Sequence, residues 1–459
     1  MTGTTAAPWD RRSQGCELRL DDLHASLADP VLESMTFLNE VSGAYPDAVS
    51  FAAGRPCDDL FETASVQRCL DRYTRYLAVE QGRSAERIRE TLLQYGPTKG
   101  VIGELIARNL AVDEGIDVPV DSIVVTVGCQ EALFLVLRAL CATEHDAVLA
   151  VSPTYMGLTG AARLAGMPVL PVASGSGGVD FADLRAVLDE ARRTGLRPRA
   201  CYVVPDFANP TGLSLSVEDR RRLLRVAEEE DLLLLEDNPY GLFDDGGAPA
   251  PTLKALDTGR RVVYLGSFAK TALPGARVGF VVADQRVGDV RGGPLLFADH
   301  LAKIKSMVTV NTSPIAQAVI AGKLLESGCS LRAANERAIA HYRGNRRVLL
   351  AGLERRFGGT AASGIHWNAP AGGFFVVLTV PFVVDDRLLE RSAQEFGVLW
   401  TPLRHFHDGA DARHRLRLSC SALTPAWIEE GLDRLAALVA DRLTTRSESR
   451  EAAPCTATY

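Results

Sequence analysis

The sequence lacks the features that mark membrane proteins and nucleic-acid-binding proteins. No apolar run approaches the roughly 18 residues that a membrane-spanning helix requires. A signal peptide is not expected, because Asp10, Arg11 and Arg12 stand where its apolar segment would lie. Acidic residues outnumber basic ones by 57 to 50, and the formal net charge is −7. A chain of this charge is not expected to bind nucleic acid or an acidic membrane surface, and small metabolites are its expected partners.

The sequence also lacks paired cysteines. Its nine cysteines are spread from Cys16 to Cys455 without any C-x-x-C motif. An odd, dispersed set is typical of reduced thiols rather than of a disulfide framework or a zinc site. We therefore predict a cytoplasmic protein without a metal centre.

Short apolar runs alternate with longer helical patterns through the middle of the chain. The runs are rich in Val, Ile and Leu, and they lack the alternation of a strand with one wet face. Six runs share this pattern: Ile123 to Val127, Ala147 to Val151, Cys201 to Val204, Leu232 to Leu235, Val262 to Leu265 and Val278 to Val282. Such runs are typical of strands buried on both faces of a parallel sheet. The pattern predicts an α/β fold, with a mainly parallel central sheet and helices on both faces.

Unusual polar residues follow five of these runs, where each predicted strand ends. They are Ser267 and Lys270 in S-F-A-K, Asp237 and Tyr240 in E-D-N-P-Y, Asn209 in P-D-F-A-N-P-T-G, Gly128, Cys129 and Gln130 at a helix start, and Tyr155 in S-P-T-Y. Ligands of open α/β sheets bind beyond the carboxyl ends of the strands. We therefore expect these residues to surround one binding site.

These motifs, in this order and spacing, resemble those of the fold-type-I pyridoxal-phosphate enzymes. The likeness extends from about residue 30 to 440, and the block from Ser267 to Gly279 is its most specific part. The chain is most similar to the class I and II aminotransferases, in the branch of the aminoadipate and aromatic aminotransferases. The resemblance implies pyridoxal 5'-phosphate as cofactor and ping-pong transfer of an amino group between an α-amino acid and a 2-oxo acid. It also implies a homodimer with shared active sites.

The resemblance assigns five residues to the cofactor ring. Lys270 matches the lysine that forms the Schiff base and moves the α-proton. Asp237 matches the carboxylate that pairs with the protonated pyridine nitrogen. Asn209 and Tyr240 match residues that hydrogen-bond the ring hydroxyl, and Tyr155 matches the aromatic residue stacked on the ring. Each of three residues also has a purely structural interpretation. Asp237 could cap a helix, Asn209 could serve the N-P-T-G turn, and Tyr155 could pack in the core.

A second group is assigned to the cofactor phosphate. Backbone amides at a helix N-terminus, one hydroxyl and one guanidinium would bind it, from Gly128, Cys129, Gln130, Ser267 and Arg277. Cys129 stands where the family usually has serine, so only its backbone contact is carried over. Tyr95, in L-Q-Y-G-P-T-K-G, matches a tyrosine that reaches the phosphate of the neighbouring subunit. An ordinary exposed loop tyrosine is the alternative.

The substrate contacts are assigned in the same way. Arg417, in R-L-R-L-S-C-S, matches the arginine that holds the substrate α-carboxylate. Arg415 has the same strand spacing, so only the motif register selects Arg417. Gly54, in F-A-A-G-R-P, and Phe37, in M-T-F-L-N-E-V, lie in segments similar to those that close over the site. Aminoadipate enzymes often have arginine at the place of Phe37, which favours an aromatic or apolar substrate. Plain core packing is the alternative for Phe37.

The domain boundaries follow from composition together with the resemblance. The predicted division is a disordered tail at 1–20, a segment closing over the site at 21–60, a large cofactor-binding domain at 61–335, a small α+β domain at 336–444 and a disordered tail at 445–459. The tails are polar and aperiodic. The small domain is predicted from a long helix, glycine-rich strand residues near Ala371 to Leu378 and a final amphipathic helix.

The reaction and the substrate leave alternatives open. The sequences of the N-terminal segments around Phe37 and Gly54 also resemble those of the 3,5-dihydroxyphenylglycine transaminases of nonribosomal-peptide antibiotic pathways. An aromatic, branched-chain or aminoadipate aminotransferase of primary metabolism is the nearest alternative. Another pyridoxal-phosphate reaction, of an amino-acid oxidase, cyclase or lyase, is a further one. The effector domain of a transcription regulator is disfavoured, because only about 30 residues precede the resemblance where such proteins carry a DNA-binding domain.

Overall fold

The computed structural model describes residues 18–32, 40, 43–175, 177–247, 249–289, 292–359, 364–407 and 410–451. The strands in chain order are β1 Val49–Ser50, β2 Ile123–Thr126, β3 Asp146–Ser152, β4 Val169–Ala173, β5 Arg197–Val203, β6 Leu233–Asp237, β7 Val262–Ser267, β8 Gly279–Val282, β9 Arg286–Asp289, β10 Gly292–Leu296, β11 His366–Trp367, β12 Phe375–Thr379, β13 Val398–Leu399, β14 Thr401–Pro402 and β15 Arg415–Ser419. The α-helices are α1 Thr63–Arg75, α2 Ala85–Leu93, α3 Gly103–Glu114, α4 Gly128–Leu140, α5 Met156–Ala165, α6 Phe181–Arg193, α7 Val217–Glu229, α8 Leu253–Leu256, α9 Phe297–Val308, α10 Pro314–Glu326, α11 Leu331–Ala334, α12 Glu336–Phe357, α13 Asp386–Arg391 and α14 Pro425–Glu451.

The central sheet has seven strands in the order β2-β8-β7-β6-β5-β3-β4. The pairs from β7 to β4 are parallel, and β8 is antiparallel to both of its neighbours. Residues 268–278 join β7 to β8 and are too few for the helical crossover that a parallel pair needs. All six predicted strands are present, so the mainly parallel α/β fold is confirmed. The unpredicted β4 is an edge strand, a position that tolerates its Pro171.

Both faces of the sheet are buried, as the uninterrupted apolar runs require. Along β3, Val148 packs into one core with helices α4, α5 and α9, whereas the next residue, Leu149, packs into another core with α6 and α7. Successive side chains of a strand point to opposite faces, so neighbouring residues meet different helical layers. This arrangement confirms helices on both faces of the sheet.

A second, antiparallel sheet has four strands in the order β11-β12-β15-β14. It packs with α12 and α14 around a separate core that includes Trp400 and Leu432. The N-terminal strand β1 pairs with β13, which places Phe51 in this core as well. The proposed domain division at residues 335 and 336 coincides with the start of α12. That division stays a prediction.

The ends of the chain differ in part from expectation. Helix α14 continues to Glu451, so residues 445–451 of the predicted disordered tail are helical. These residues contain neither proline nor glycine, and Pro454 lies beyond them, so nothing in their sequence ends the helix earlier. Residues 1–17 of the other tail lie outside the described residues.

Among the helices described, none has the length and apolar character needed to cross a bilayer.

Candidate active site

A cavity of about 610 Å³ lies beyond the carboxyl ends of the central strands. It collects most of the residues that the sequence assigned to a site: Gly54, Cys129, Gln130, Tyr155, Asn209, Asp237, Tyr240, Ser267, Lys270, Arg277 and Arg417. These residues are up to 363 positions apart in sequence, from Gly54 to Arg417. The strand ends of the central sheet supply most of them, whereas Gly54 comes from the N-terminal segment and Arg417 from the second sheet. The cavity is therefore the candidate active site.

Lys270 follows β7 and directs its amine into the cavity. Its Nζ donates a hydrogen bond to the carbonyl oxygen of Gly54 at 2.7 Å. Burial, together with the positive charges of Arg417 and Arg277, lowers the pKa of Lys270 to about 8. By contrast, the buried lysines Lys254 and Lys305 have carboxylate partners at 2.7 and 2.9 Å. Lys270 is thus suited to being a nucleophile, because its amine is not held charged by an acid.

This pKa gives a testable pH dependence. An amine attacks an aldehyde only in its neutral form, and with a pKa of about 8 the neutral fraction rises from roughly a tenth at pH 7 to nine tenths at pH 9. Uptake of pyridoxal phosphate by the apoprotein, followed by absorbance, is therefore expected to accelerate about tenfold over this interval and then level off. A rate that keeps rising beyond pH 10 would indicate an ordinary lysine instead.

Asp237 ends β6 and is almost completely buried. Its Oδ2 accepts a hydrogen bond from the Tyr202 hydroxyl at 2.7 Å, and its Oδ1 accepts one from the Cys129 thiol at 3.6 Å. Burial raises the pKa of Asp237 to about 6, while the two donated hydrogen bonds oppose that rise. Sequence reasoning missed Tyr202 as well as the side chain of Cys129. A tyrosine inside an apolar strand that ends near the site was the available signal.

The positively charged end of the cavity fits a phosphate. Helix α4 begins at Gly128, whose φ of +70° favours glycine. A Cβ there would stand 2.4 Å from Nη2 of Arg277, so the guanidinium packs directly over the helix N-terminus. The helix dipole and the arginine both favour an anion at this point. The Oγ of Ser267 lines the same cavity and accepts a hydrogen bond from the Ala269 amide at 3.2 Å.

Tyr155 and Tyr240 contribute aromatic walls. The Gln130 amide donates to the Gly157 carbonyl at 2.7 Å and accepts from the Tyr155 hydroxyl at 3.4 Å, which fixes the phenol ring beside α4. Tyr240 packs edge-on against Phe374 and Phe375, with ring centroids 5.4 and 5.5 Å away. Burial raises the pKa of both phenols, so they are neutral hydrogen-bonding groups at ordinary pH.

Arg417 lies on β15 of the second sheet and reaches the cavity from the opposite side. Its guanidinium donates to Asn209 Oδ1 and to the Ala52 carbonyl, both at 2.6 Å. The rings of Phe375 and Phe406 lie 4.5 and 5.1 Å from its Cζ. Burial lowers the pKa of Arg417 to about 10, which leaves it charged at neutral pH. Arg415, on the same strand, does not line the cavity.

Two of the predicted residues that the structure describes, Gly128 and Tyr95, do not line the cavity. Tyr95 does not line it, and its side chain is 85% exposed on the single chain. Phe37 lies outside the described residues, so its predicted substrate contact stays a prediction. Asn209 lies in the cavity, but the partner of its side-chain oxygen here is Arg417. Its predicted bond to the ring hydroxyl likewise stays a prediction.

Comparison with known proteins agrees with this geometry. The family model "Aminotransferase class I and II" matches residues 61–435. The (S)-3,5-dihydroxyphenylglycine transaminase of Amycolatopsis orientalis is 55% identical over 427 residues, 93% of this chain and 96% of that one. Aromatic-amino-acid aminotransferase 1 of Thermococcus litoralis is 29% identical, over 86% and 89% of the two chains. The α-aminoadipate aminotransferase LysN of Thermus thermophilus, solved with N-(5'-phosphopyridoxyl)-L-leucine, superposes with a TM-score of 0.74 at 29% identity, over 93% and 99%.

The family, the fold and the cavity now lead to one conclusion. The matched region contains Lys270, Asp237 and the positively charged end of the cavity. The chain and its relative at 55% identity align over nearly their whole lengths. The resemblance and the cofactor inferred from the motifs are confirmed. The chain belongs to the class I and II aminotransferases and is a pyridoxal-phosphate-dependent transaminase.

Proposed function

We propose that this aminotransferase acts on an α-amino acid of the arylglycine type, such as 3,5-dihydroxyphenylglycine, in nonribosomal-peptide antibiotic biosynthesis. The 55% identity to a dihydroxyphenylglycine transaminase over 93% of the chain carries this proposal. Aromatic side chains such as Tyr155 and Phe406 line the cavity beside Arg417 and are suited to an aryl ring.

The roles of the residues follow from their placement. When bound, the cofactor supplies an electron sink for the bond broken at the substrate Cα. Arg417 would hold the α-carboxylate, which fixes the orientation of the Cα–H bond that breaks. Lys270, whose pKa is about 8, would take this proton and return it two atoms away, to the carbon on the other side of the amino nitrogen. Asp237 would keep the ring nitrogen charged, and Arg277 with the start of α4 would hold the phosphate.

A comparison of amino donors tests the substrate. Dihydroxyphenylglycine, phenylglycine, phenylalanine, leucine and 2-aminoadipate would each be offered with a common 2-oxo acid. We expect the largest kcat/KM with the arylglycines, since among these donors only they carry an aromatic ring directly on Cα. Preference for 2-aminoadipate would contradict the proposal. Repeating each assay without an acceptor separates the reaction classes, because a transaminase stops after one turnover, whereas an oxidase or a lyase continues.

We further propose a homodimer in which Tyr95 reaches the phosphate in the partner's cavity. Its exposed side chain on the single chain is compatible with that position. Tyr95→Phe removes one hydrogen bond to an anion, so the Kd for pyridoxal phosphate is expected to rise roughly tenfold without loss of folding. The control is Tyr76→Phe, which removes a buried hydroxyl bonded to Gln81. A fully active monomer in light scattering would refute the shared site.

The N-terminal segment 21–60 is proposed to close over the cavity. Two of its backbone carbonyls already contact the site, those of Ala52 with Arg417 and Gly54 with Lys270. Phe51 is anchored in the core of the second sheet, so this segment would move together with that sheet.

A cytoplasmic location is also proposed, because the cysteines are dispersed along the chain and the seven within the described ranges are all free.

A further inference from the structure

Two side chains meet the Asp237 carboxylate from different elements. Tyr202 lies on β5, is 1% exposed and donates to Oδ2 at 2.7 Å. Cys129 lies in the first turn of α4 and donates to Oδ1 at 3.6 Å. Each carboxylate oxygen therefore has its own neutral donor. Neither of these two side chains has a role in the function proposed above, in which only the backbone of Cys129 takes part.

This arrangement solves a physical problem. A carboxylate with almost no exposed surface is costly to ionise, unless hydrogen bonds or a charge compensate for the lost water. The two donors compensate without adding charge, so they leave the negative charge available for a cationic partner. A carboxylate can accept about four hydrogen bonds, so there is room for a further donor from the cavity. The two bonds also fix the plane in which that donor must approach.

We propose that Tyr202 and Cys129 are positioning residues that keep Asp237 ionised and aimed at the ring nitrogen of the cofactor. The inference rests on the proposed role of Asp237. Other titratable groups that face this cluster are Tyr155, Tyr240 and Arg277. The two tyrosines are neutral at ordinary pH, and Arg277 lies at the phosphate end. The thiol and the Tyr202 phenol are thus the groups that bond Asp237 directly.

The chain offers matched controls for both substitutions. Tyr264 is another buried tyrosine of the central sheet, and its hydroxyl donates to a half-buried carboxylate, Glu114, at 2.8 Å outside the cavity. Tyr264→Phe therefore repeats the chemistry of Tyr202→Phe away from the cofactor. Cys201→Ala controls for Cys129→Ala, because Cys201 is buried in β5 beside Tyr202 and does not line the cavity. Cys129→Ser restores a hydroxyl donor at the original position.

The experiment is a titration of each apoprotein with pyridoxal phosphate, at pH 6.5 and at pH 8.5, with the Kd read from absorbance. Tyr202→Phe is expected to raise the Kd about tenfold or more, and Cys129→Ala by several-fold, whereas Tyr264→Phe and Cys201→Ala change it less than about twofold. Loss of a donor raises the pKa of Asp237, so the ratio of variant Kd to wild-type Kd should be larger at pH 6.5. Cys129→Ser should return the ratio towards one.

The outcomes separate this inference from the proposed function. Asp237→Asn, titrated in parallel, should weaken binding more than either donor variant. If Asp237→Asn leaves the Kd unchanged, the proposed role of Asp237 itself is wrong. If only Asp237→Asn weakens binding, the role of the two donors is refuted. A Kd ratio that is the same at both pH values, or an equal loss in Tyr264→Phe, would show packing damage instead and would also overturn the inference.

Discussion

Replacing Lys270 with alanine is expected to abolish transamination, with a loss of roughly 10⁴-fold or more in kcat. The variant loses both the amine that binds the cofactor covalently and the base placed to move the substrate proton. Its fold should survive, because the hydrogen bond of Lys270 goes to a backbone carbonyl, that of Gly54, and no carboxylate is left without its partner. Initial rates with an accepted amino acid and saturating cofactor give the measurement.

Two further lysine variants serve as controls for this prediction. Lys303 is exposed on α9, so Lys303→Ala should retain full activity. Lys270→Arg keeps a positive charge but offers no amine that could form an imine, and it should be as inactive as the alanine variant. Activity of Lys270→Ala within about tenfold of wild type would refute the assignment.

Replacing Arg417 with alanine is expected to impair the reaction far more than it impairs cofactor binding. Removing one partner of a buried, hydrogen-bonded charge pair costs about 2 to 5 kcal/mol, which is roughly 30-fold to several thousand-fold in kcat/KM. Arg277→Ala should do the opposite and raise the Kd for pyridoxal phosphate first, since its guanidinium lies over the start of α4. The measurements are kcat/KM with one amino acid and cofactor occupancy by absorbance.

Arg415→Ala is the matched control, because Arg415 lies two residues away on the same strand and outside the cavity. Its effect should be mild. If Arg415→Ala were the damaging change, the substrate face would have to be redrawn. If both changes were mild, Arg55 at the cavity would become the leading candidate for the carboxylate. Equal loss of cofactor occupancy and of activity in Arg417→Ala would refute the assignment of Arg417 to the substrate and Arg277 to the phosphate.

The sequence predicted the sheet well, because strands buried on both faces leave a local signature. The run from Val262 to Leu265 has no alternation, and β7 is indeed covered on both sides. The motifs then placed the polar residues correctly at the strand ends, since the direction of parallel strands fixes where those ends meet. The edge strand β4 carries a weaker signature and was missed.

Contacts between distant side chains could not be predicted in the same way. The bond from Tyr202 to Asp237 depends on the pairing of β5 with β6, and that from Arg417 to Asn209 on how the second sheet meets the first. Neither relation is encoded in local periodicity. The thiol of Cys129 was set aside because it departs from the family pattern, yet α4 places it against the carboxylate.

Reduction of the purified holoenzyme with borohydride, followed by peptide mass spectrometry, tests the central claim most directly. Reduction makes the link between lysine and cofactor permanent, so the modified peptide identifies the lysine. Our account predicts a single modified residue, Lys270, whose amine has a pKa of about 8 and opens into the cavity. A cofactor attached to any other lysine, such as Lys254, Lys303 or Lys305, would contradict it.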